Sequence, residues 1–119
     1  MGKNFVVQFA HDWEDSWNKH DLERILEHYT DDFEMQSPMI AKVTGNSSGI
    51  LKGKKSVGDY WAKALKMVPD LHFELINVCI GVESVAIQYR GVGGKIVIEI
   101  FSFGADGKVT KAHAHYEGN

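Results

Sequence analysis

At 119 residues, 44% hydrophobic and 24% charged, the chain is sized for one domain, residues 1–119, around a single hydrophobic core. Its formal charge is −3 with acids and bases interspersed, which excludes the basic footprint of a nucleic-acid or anionic-membrane partner. Cys79 is the only cysteine, so no internal disulfide can form and a reducing, cytoplasmic location is expected.

"FVVQFA" near the start is too short for the apolar region of a signal peptide, and His11, Asp12 and Glu14 follow at once. Gly2 does not read as a myristoylation site, because Val6 stands where serine or threonine is wanted. No apolar run approaches a membrane span. Phe5, Phe9, Trp13 and Trp17 recur every fourth residue and predict one face of an opening helix. Asp21 is a natural N-cap for a second helix carrying Leu22, Ile25, Leu26 and Tyr29 inward. "FEMQS" then alternates as a strand that Pro38 ends, aiming Met35, Gln36 and Ser37 at one place.

Residues 40–52, with "TGNSSG" inside, are expected to form the longest loop, in the position of a lid. Val57, Tyr60, Trp61, Ala64, Leu65 and Val68 predict a third amphipathic helix, stopped by Pro69. Strands follow at 71–80, 84–92 and 95–103, with "GVGG" at 91–94 as a turn. "GADGK" makes a hairpin into a last strand, 108–116. The order predicts an α+β fold: a cone-shaped α+β barrel of three N-terminal helices packed in a curved, mostly antiparallel sheet, open at one end. Concave apolar places of that kind favour small-molecule sites.

The order of elements and several stretches resemble the NTF2-like superfamily, in particular its SnoaL-like and ketosteroid-isomerase-like branch. "NKHDLERILEHYTDDFEMQSP" at 18–38 is similar to that branch's helix, Asp-Leu, helix, Asp-Asp, strand and proline segment. "GKKSVGDYWAKALK" at 53–66 resembles its third helix, and "IEIFSFGADGKV" at 98–109 its penultimate strand and hairpin. The resemblance covers nearly the whole chain. It implies a pocket inside the cone and a dimer formed through the outer face of the sheet. In the ketosteroid isomerases the residue before the strand-ending proline is the aspartate that moves the proton; here that position is Ser37. A serine hydroxyl donates and accepts hydrogen bonds but is no base near neutral pH unless another group activates it. The family's oxyanion-binding tyrosine falls on Trp13, whose indole N–H still donates, and a supporting tyrosine falls on Trp61. A second oxyanion donor, an acid kept protonated by an apolar site, falls on Glu99, retained in type. The resemblance also turns Ala112, Ala114 and Tyr116 toward the pocket and His113 and His115 toward the dimer side.

In "KIVIEIFSF" both strand faces are apolar, so Glu99 has buried neighbours whichever way it points. Isolated burial raises a carboxyl's pKa, as a general acid near neutral pH requires. The plainer alternative is a salt bridge to Arg90 on the neighbouring strand. The Ile96, Ile98 and Ile100 stripe lies on a face that the helices cannot reach, and a homodimer through the outer sheet face would cover it. The last strand or the long loop covering it within one chain is the alternative. His113 and His115 lie two apart on one face, but only His72 offers a further strand ligand, so no metal is expected, and no organic cofactor either.

Trp13, Trp17, Tyr29, Phe33, Tyr60 and Trp61 read first as core. Trp13, Tyr60 and Trp61 match pocket positions of the family and, with Tyr29 and Met35, would wall a site for a flat, largely apolar ring compound. In strand 84–92, Gln88 and Arg90 alternate with Val85, Ile87 and Tyr89, and one of the two faces lines the cone. If it is the former, Gln88 and Arg90 bind ligand, Arg90 holding an oxygen or carboxylate. Two functional classes follow. One is an isomerase- or lyase-type proton-transfer enzyme using Glu99 and Trp13, with a small apolar molecule as partner. The other is a ligand-binding or interaction module without chemistry, which the loss of a base at Ser37 favours.

Overall fold

In the computed structural model, which describes residues 2–118, the chain opens with α1 (Lys3–Asn18) and α2 (Leu22–Leu26). The four-residue stripe of α1 buries Phe9, Trp13 and Trp17, joined by Val6, Ala10 and Ser16. Phe5, the first residue of that stripe, stays exposed at the rim, edge-on to Phe103. Asp21 caps α2, its carboxylate accepting from the Arg24 N–H at 3.2 Å. Tyr29 is not on that helix. It is the first residue of strand β1 (Tyr29–Gln36), which turns Tyr29, Phe33 and Met35 inward.

The segment expected to be a loop at 40–52 is folded. Pro38 begins a helix, α3 (Pro38–Thr44), where its fixed φ and missing N–H are tolerated. Ser37 is the N-cap, its hydroxyl accepting from the Met39 N–H at 3.1 Å, and Gly45 closes the helix at φ +80°. The remainder of the segment contributes a short strand, β2 (Ile50–Lys52), paired antiparallel to β1. Then α4 (Lys54–Met67) buries Val57, Gly58, Tyr60 and Trp61. The described residues thus form four α-helices where three were predicted.

Residues 71–73, expected to start a strand, lie outside β3 and bond to side chains instead. Asn18 Nδ2 donates to the Phe73 carbonyl at 2.9 Å and its Oδ1 accepts from the Phe73 N–H at 2.7 Å. The Glu14 carboxylate accepts from the Leu75 N–H at 2.7 Å. These contacts satisfy the backbone groups that a strand partner would otherwise satisfy and fasten the segment to α1. Strands β3 (Glu74–Gly81), β4 (Ser84–Arg90), β5 (Ile96–Phe103) and β6 (Val109–Tyr116) follow. Between β4 and β5 lies a single 3-10 turn, Val92–Gly94.

The six strands make one curved, unclosed sheet in the order β2-β1-β6-β5-β4-β3, antiparallel except for the parallel β1–β6 pair. Its concave face carries Val85, Ile87 and Tyr89 from β4, Val97, Glu99, Phe101 and Phe103 from β5, and Val109, Ala112 and Ala114 from β6. These pack on the aromatic side of α1 and α4, giving the expected cone-shaped α+β barrel. On the convex face Ile98 and Ile100 are 44% and 40% exposed, so neither β6 nor the segment after β1 covers the stripe within one chain. Among the described residues no helix is long and apolar enough to cross a membrane.

Candidate functional site

A cavity of about 330 Å³ lies between α1, α3 and α4 and the concave face of the sheet. That volume is at the lower end of the range for small-molecule sites. Trp13 and Trp17 reach it from α1, Met35 and Ser37 from the end of β1, and Tyr60 and Trp61 from α4. Met39, Lys42 and Val43 of α3 line it too, so the segment taken for a loop roofs the cavity as a helix.

Glu99 lines the inner end. It is 4% exposed, and its cross-strand partners are Ile87 on β4 and Ala114 on β6. Its one polar contact among the described residues is the Tyr89 hydroxyl, which donates to Oε1 at 2.9 Å. Burial pushes the Glu99 carboxyl up to about 7, against the smaller opposing effect of the Tyr89 hydrogen bond. The same burial raises the tyrosines around it. Tyr60 is pushed up to about 12, partly offset by the Ser37 hydroxyl, and Tyr89, Tyr29 and Tyr116 are raised by burial and then by the Glu99 charge. All four remain protonated hydrogen-bond donors at neutral pH.

Arg90 does not reach Glu99. It lies on the convex face, its Nε 3.5 Å from Glu74 Oε1 and its guanidinium donating to the Gly94 carbonyl at 3.0 Å. Gln88 is on that face as well, accepting from the Asn77 amide at 2.8 Å. Neither lines the cavity, which corrects the reading that gave them ligand contacts. The concave face of β4 is the Val85, Ile87 and Tyr89 face, and Tyr89, absent from the predicted set, is the group that touches Glu99. The alternation itself carried the signal: a face of two aliphatics and a tyrosine suits a core better than one holding glutamine and arginine.

The structure brings Trp13, Met35, Ser37, Tyr60, Trp61, Glu99 and Tyr116 to one cavity. Tyr29 is buried behind its wall against Phe33 and Trp61, at ring-centroid distances of 4.3 and 5.1 Å. Ala114, opposite Glu99, lines a shallower depression on the other side of Ser37, together with His113 and His115. Ser37 is 4% exposed and committed to capping α3. Trp13 Nε1 and the Tyr29 hydroxyl are buried without a well-formed hydrogen bond, and they lie close enough together for the indole to oppose the rise in the Tyr29 pKa. A buried donor without a well-formed bond at a cavity wall suits a ligand that brings an acceptor. His72, considered as a third metal ligand on a strand, precedes β3, and the described residues contain no group of three His, Cys, Asp or Glu side chains able to hold a metal ion.

The sequence profile of the SnoaL-like domain matches residues 10–114. A SnoaL-like protein of unknown function from Burkholderia thailandensis E264 has 55% sequence identity and a TM-score of 0.94, over 98% of each chain. A candidate isomerase of the SnoaL-like family from Agrobacterium tumefaciens C58 is 13% identical, with a TM-score of 0.77 over 97% of this chain and 99% of that one. An epoxide hydrolase/cyclase-like enzyme with a role in pyran ring formation in the polyether salinomycin is also 13% identical, with a TM-score of 0.72 over 97% and 92%. At those identities the last two likenesses speak for the fold alone. No match was found among curated proteins. With the profile spanning most of its length and a close structural relative beside it, the chain belongs to the SnoaL-like family, a branch of the NTF2-like superfamily.

Proposed function

We propose that the cavity binds a small, largely apolar ring compound and that Glu99 performs acid–base chemistry on it, of the isomerase, cyclase or dehydratase type, without a metal or organic cofactor. One observation carries this reading: a carboxyl buried at the inner end of an open cavity, with a single tyrosine for a partner and a pKa near 7. Near neutral pH such a group exchanges a proton in either direction with little driving force lost. In its neutral form Glu99 gives its proton to a carbonyl, enol or ether oxygen of the ligand. The carboxylate that results is steadied by the Tyr89 hydroxyl and takes a proton back from the product-forming carbon or oxygen. Trp13 Nε1, which makes no well-formed hydrogen bond within the chain although the Tyr29 hydroxyl is near, donates to the oxygen on which charge develops. Tyr60, Trp61, Met35 and Tyr116 supply the apolar walls, and Ser37 adds a polar point near the hydroxyls of Tyr60 and Tyr116.

A second reading, a ligand-binding module without chemistry, is favoured by Ser37. The position where ketosteroid isomerases keep their base is a helix cap here, so only one titrating group lines the cavity near neutral pH. Glu99→Gln separates the two. With turnover of a ring ketone or epoxide library as the readout, catalysis is lost while ligand affinity survives if Glu99 acts chemically. A protein that only binds shows no turnover to lose.

The chain acts as a homodimer joined through the convex face of the sheet. Exposed Ile98 and Ile100, with half-buried Ile96 beside them, support this. A cytoplasmic site of action fits its one cysteine, Cys79, which is exposed and free.

A further inference from the structure

The cavity has an uneven distribution of charge. Among the described residues, the charged side chains lining it besides Glu99 are Lys42, from the helix α3 roof, and Lys95, from the residue before β5. Both are exposed, and among the described residues neither takes part in an ion pair. The Glu117 carboxylate, across from the start of β5, accepts from the Ile96 N–H at 2.7 Å and forms no ion pair with Lys95. Two ammonium groups without an ion-pair partner among the described residues therefore line an otherwise apolar cavity from different elements, in a chain whose formal charge is −3. Lys95 lies four positions before Glu99, about 13 Å away along an extended strand.

From this we infer that the ligand is amphipathic: an apolar ring compound carrying a carboxylate, sulfonate or similar organic anion at the end that stays at the mouth, held between Lys42 and Lys95. This rests on the reading of the cavity as a ligand site and adds the ligand's chemical class and direction of entry. An anion is costly to bury among Trp13, Phe73 and Val97 but keeps much of its hydration between two exposed ammonium groups. The apolar end then reaches Glu99, and a charge at the mouth fixes which end enters first. Lysine stems also lay methylene groups along apolar walls while leaving their charge in water.

Two fluorescent probes with one ring skeleton test this: 8-anilinonaphthalene-1-sulfonate, and N-phenyl-1-naphthylamine, which lacks the sulfonate. The anionic probe should bind several-fold more tightly, with an affinity that falls as salt rises, whereas the neutral probe is indifferent to salt. Replacing both lysines, Lys42→Gln with Lys95→Gln, should weaken the anionic probe about tenfold and leave the neutral probe within about twofold. Ala64→Trp, which fills the cavity, should exclude both. If that variant does not fold, displacement of the anionic probe by the neutral one reports the shared site. Equal affinities for the two probes, or an anionic probe unmoved by the double substitution, would mean that the lysines only solvate the rim. The inference would then fall while neutral-probe occupancy left the cavity reading intact. An anionic probe that neither Ala64→Trp nor the neutral probe displaces sits elsewhere, which also overturns it. Failure of both probes to bind the unmodified protein would take the cavity reading down as well.

Discussion

The Tyr89 hydroxyl donates to Glu99 Oε1 at 2.9 Å, and among the described residues that bond is the only polar relief of a carboxyl that is 4% exposed. It joins two neighbouring strands on one face: Glu99 lies directly opposite Ile87, and Tyr89 is the next inward residue along β4. Burial raises the acid's pKa and the hydrogen bond lowers it, burial being the larger effect. Removing the smaller one has a definite direction. Tyr89→Phe should shift the Glu99 titration upward, above about 7, with the fold preserved because the ring still packs on Trp13 and Phe73. Carbon-detected NMR of the side-chain carboxyl measures the shift. A midpoint that moves down, or does not move, would show that the hydroxyl is not what steadies the charged form.

Glu99 also ties stability to pH. Its folded pKa of about 7 lies above the ordinary value of 4.5, so between those two values the folded chain keeps a proton that the unfolded chain has released. The associated stabilisation is intact below about pH 4.5, declines as pH rises toward 7 and is absent above it. Glu99→Gln should abolish this dependence. The variant should match the unmodified protein near pH 5 and exceed it at pH 8, by at most about 3 kcal/mol. Urea unfolding at the two pH values measures the difference. A variant less stable than the parent at pH 8 would mean that ionised Glu99 is well solvated or paired.

Ser37 has a structural task that constrains what can replace it. Ser37→Ala removes the acceptor for the Met39 N–H and should cost about 1 kcal/mol. Ser37→Asp keeps an N-capping oxygen, so helix α3 should persist while a carboxylate enters the cavity at the position that the resemblance to ketosteroid isomerases matches with their base. The unmodified protein should show no more than weak ketosteroid isomerisation, and Ser37→Asp should increase it. Strong isomerisation by the unmodified chain would mean that Glu99 alone moves the proton. A stable but inactive aspartate variant would mean that the cavity does not hold a steroid in register.

The stripes of α1 and α4 and the alternation in β5 were legible in the sequence because their period is local and strongly apolar. Glu99 was legible for the same reason, as one acid among apolar neighbours on both faces. The helix at 38–44 was not. Pro38 reads equally as a strand terminator or as the first residue of a helix, and choosing between them requires knowing that Ser37 turns its hydroxyl onto the Met39 N–H. Residues 71–73 look like a strand because Leu71 and Phe73 alternate with His72, but the hydrogen-bond partner of Phe73 is the side chain of Asn18, some 55 positions away. Which face of β4 lines the cone was left open in the sequence, because Gln88 and Arg90 offer ligand chemistry while Val85, Ile87 and Tyr89 offer the pattern of a core face. An arginine invites a ligand role, yet β4 buries the apolar set and leaves Arg90 with Glu74 at the sheet edge.

The convex face supports a prediction that does not depend on the ligand. Ile98 and Ile100 are exposed at mid-strand, on the side of the sheet opposite the cavity. The protein should sediment as a dimer at micromolar concentration, because leaving such a patch in water is unfavourable and a two-fold sheet-to-sheet contact covers both copies at once. Ile98→Lys should give a folded monomer: the ammonium is solvated in the single chain but desolvated in the dimer. Circular dichroism separates dissociation from unfolding, since Ile98 makes no contribution to the concave core. Sedimentation equilibrium of the unmodified chain showing monomer alone at high micromolar concentration would sink the dimer. So would an Ile98→Lys variant that associates as tightly as its parent, because the contact would then have to lie on another face.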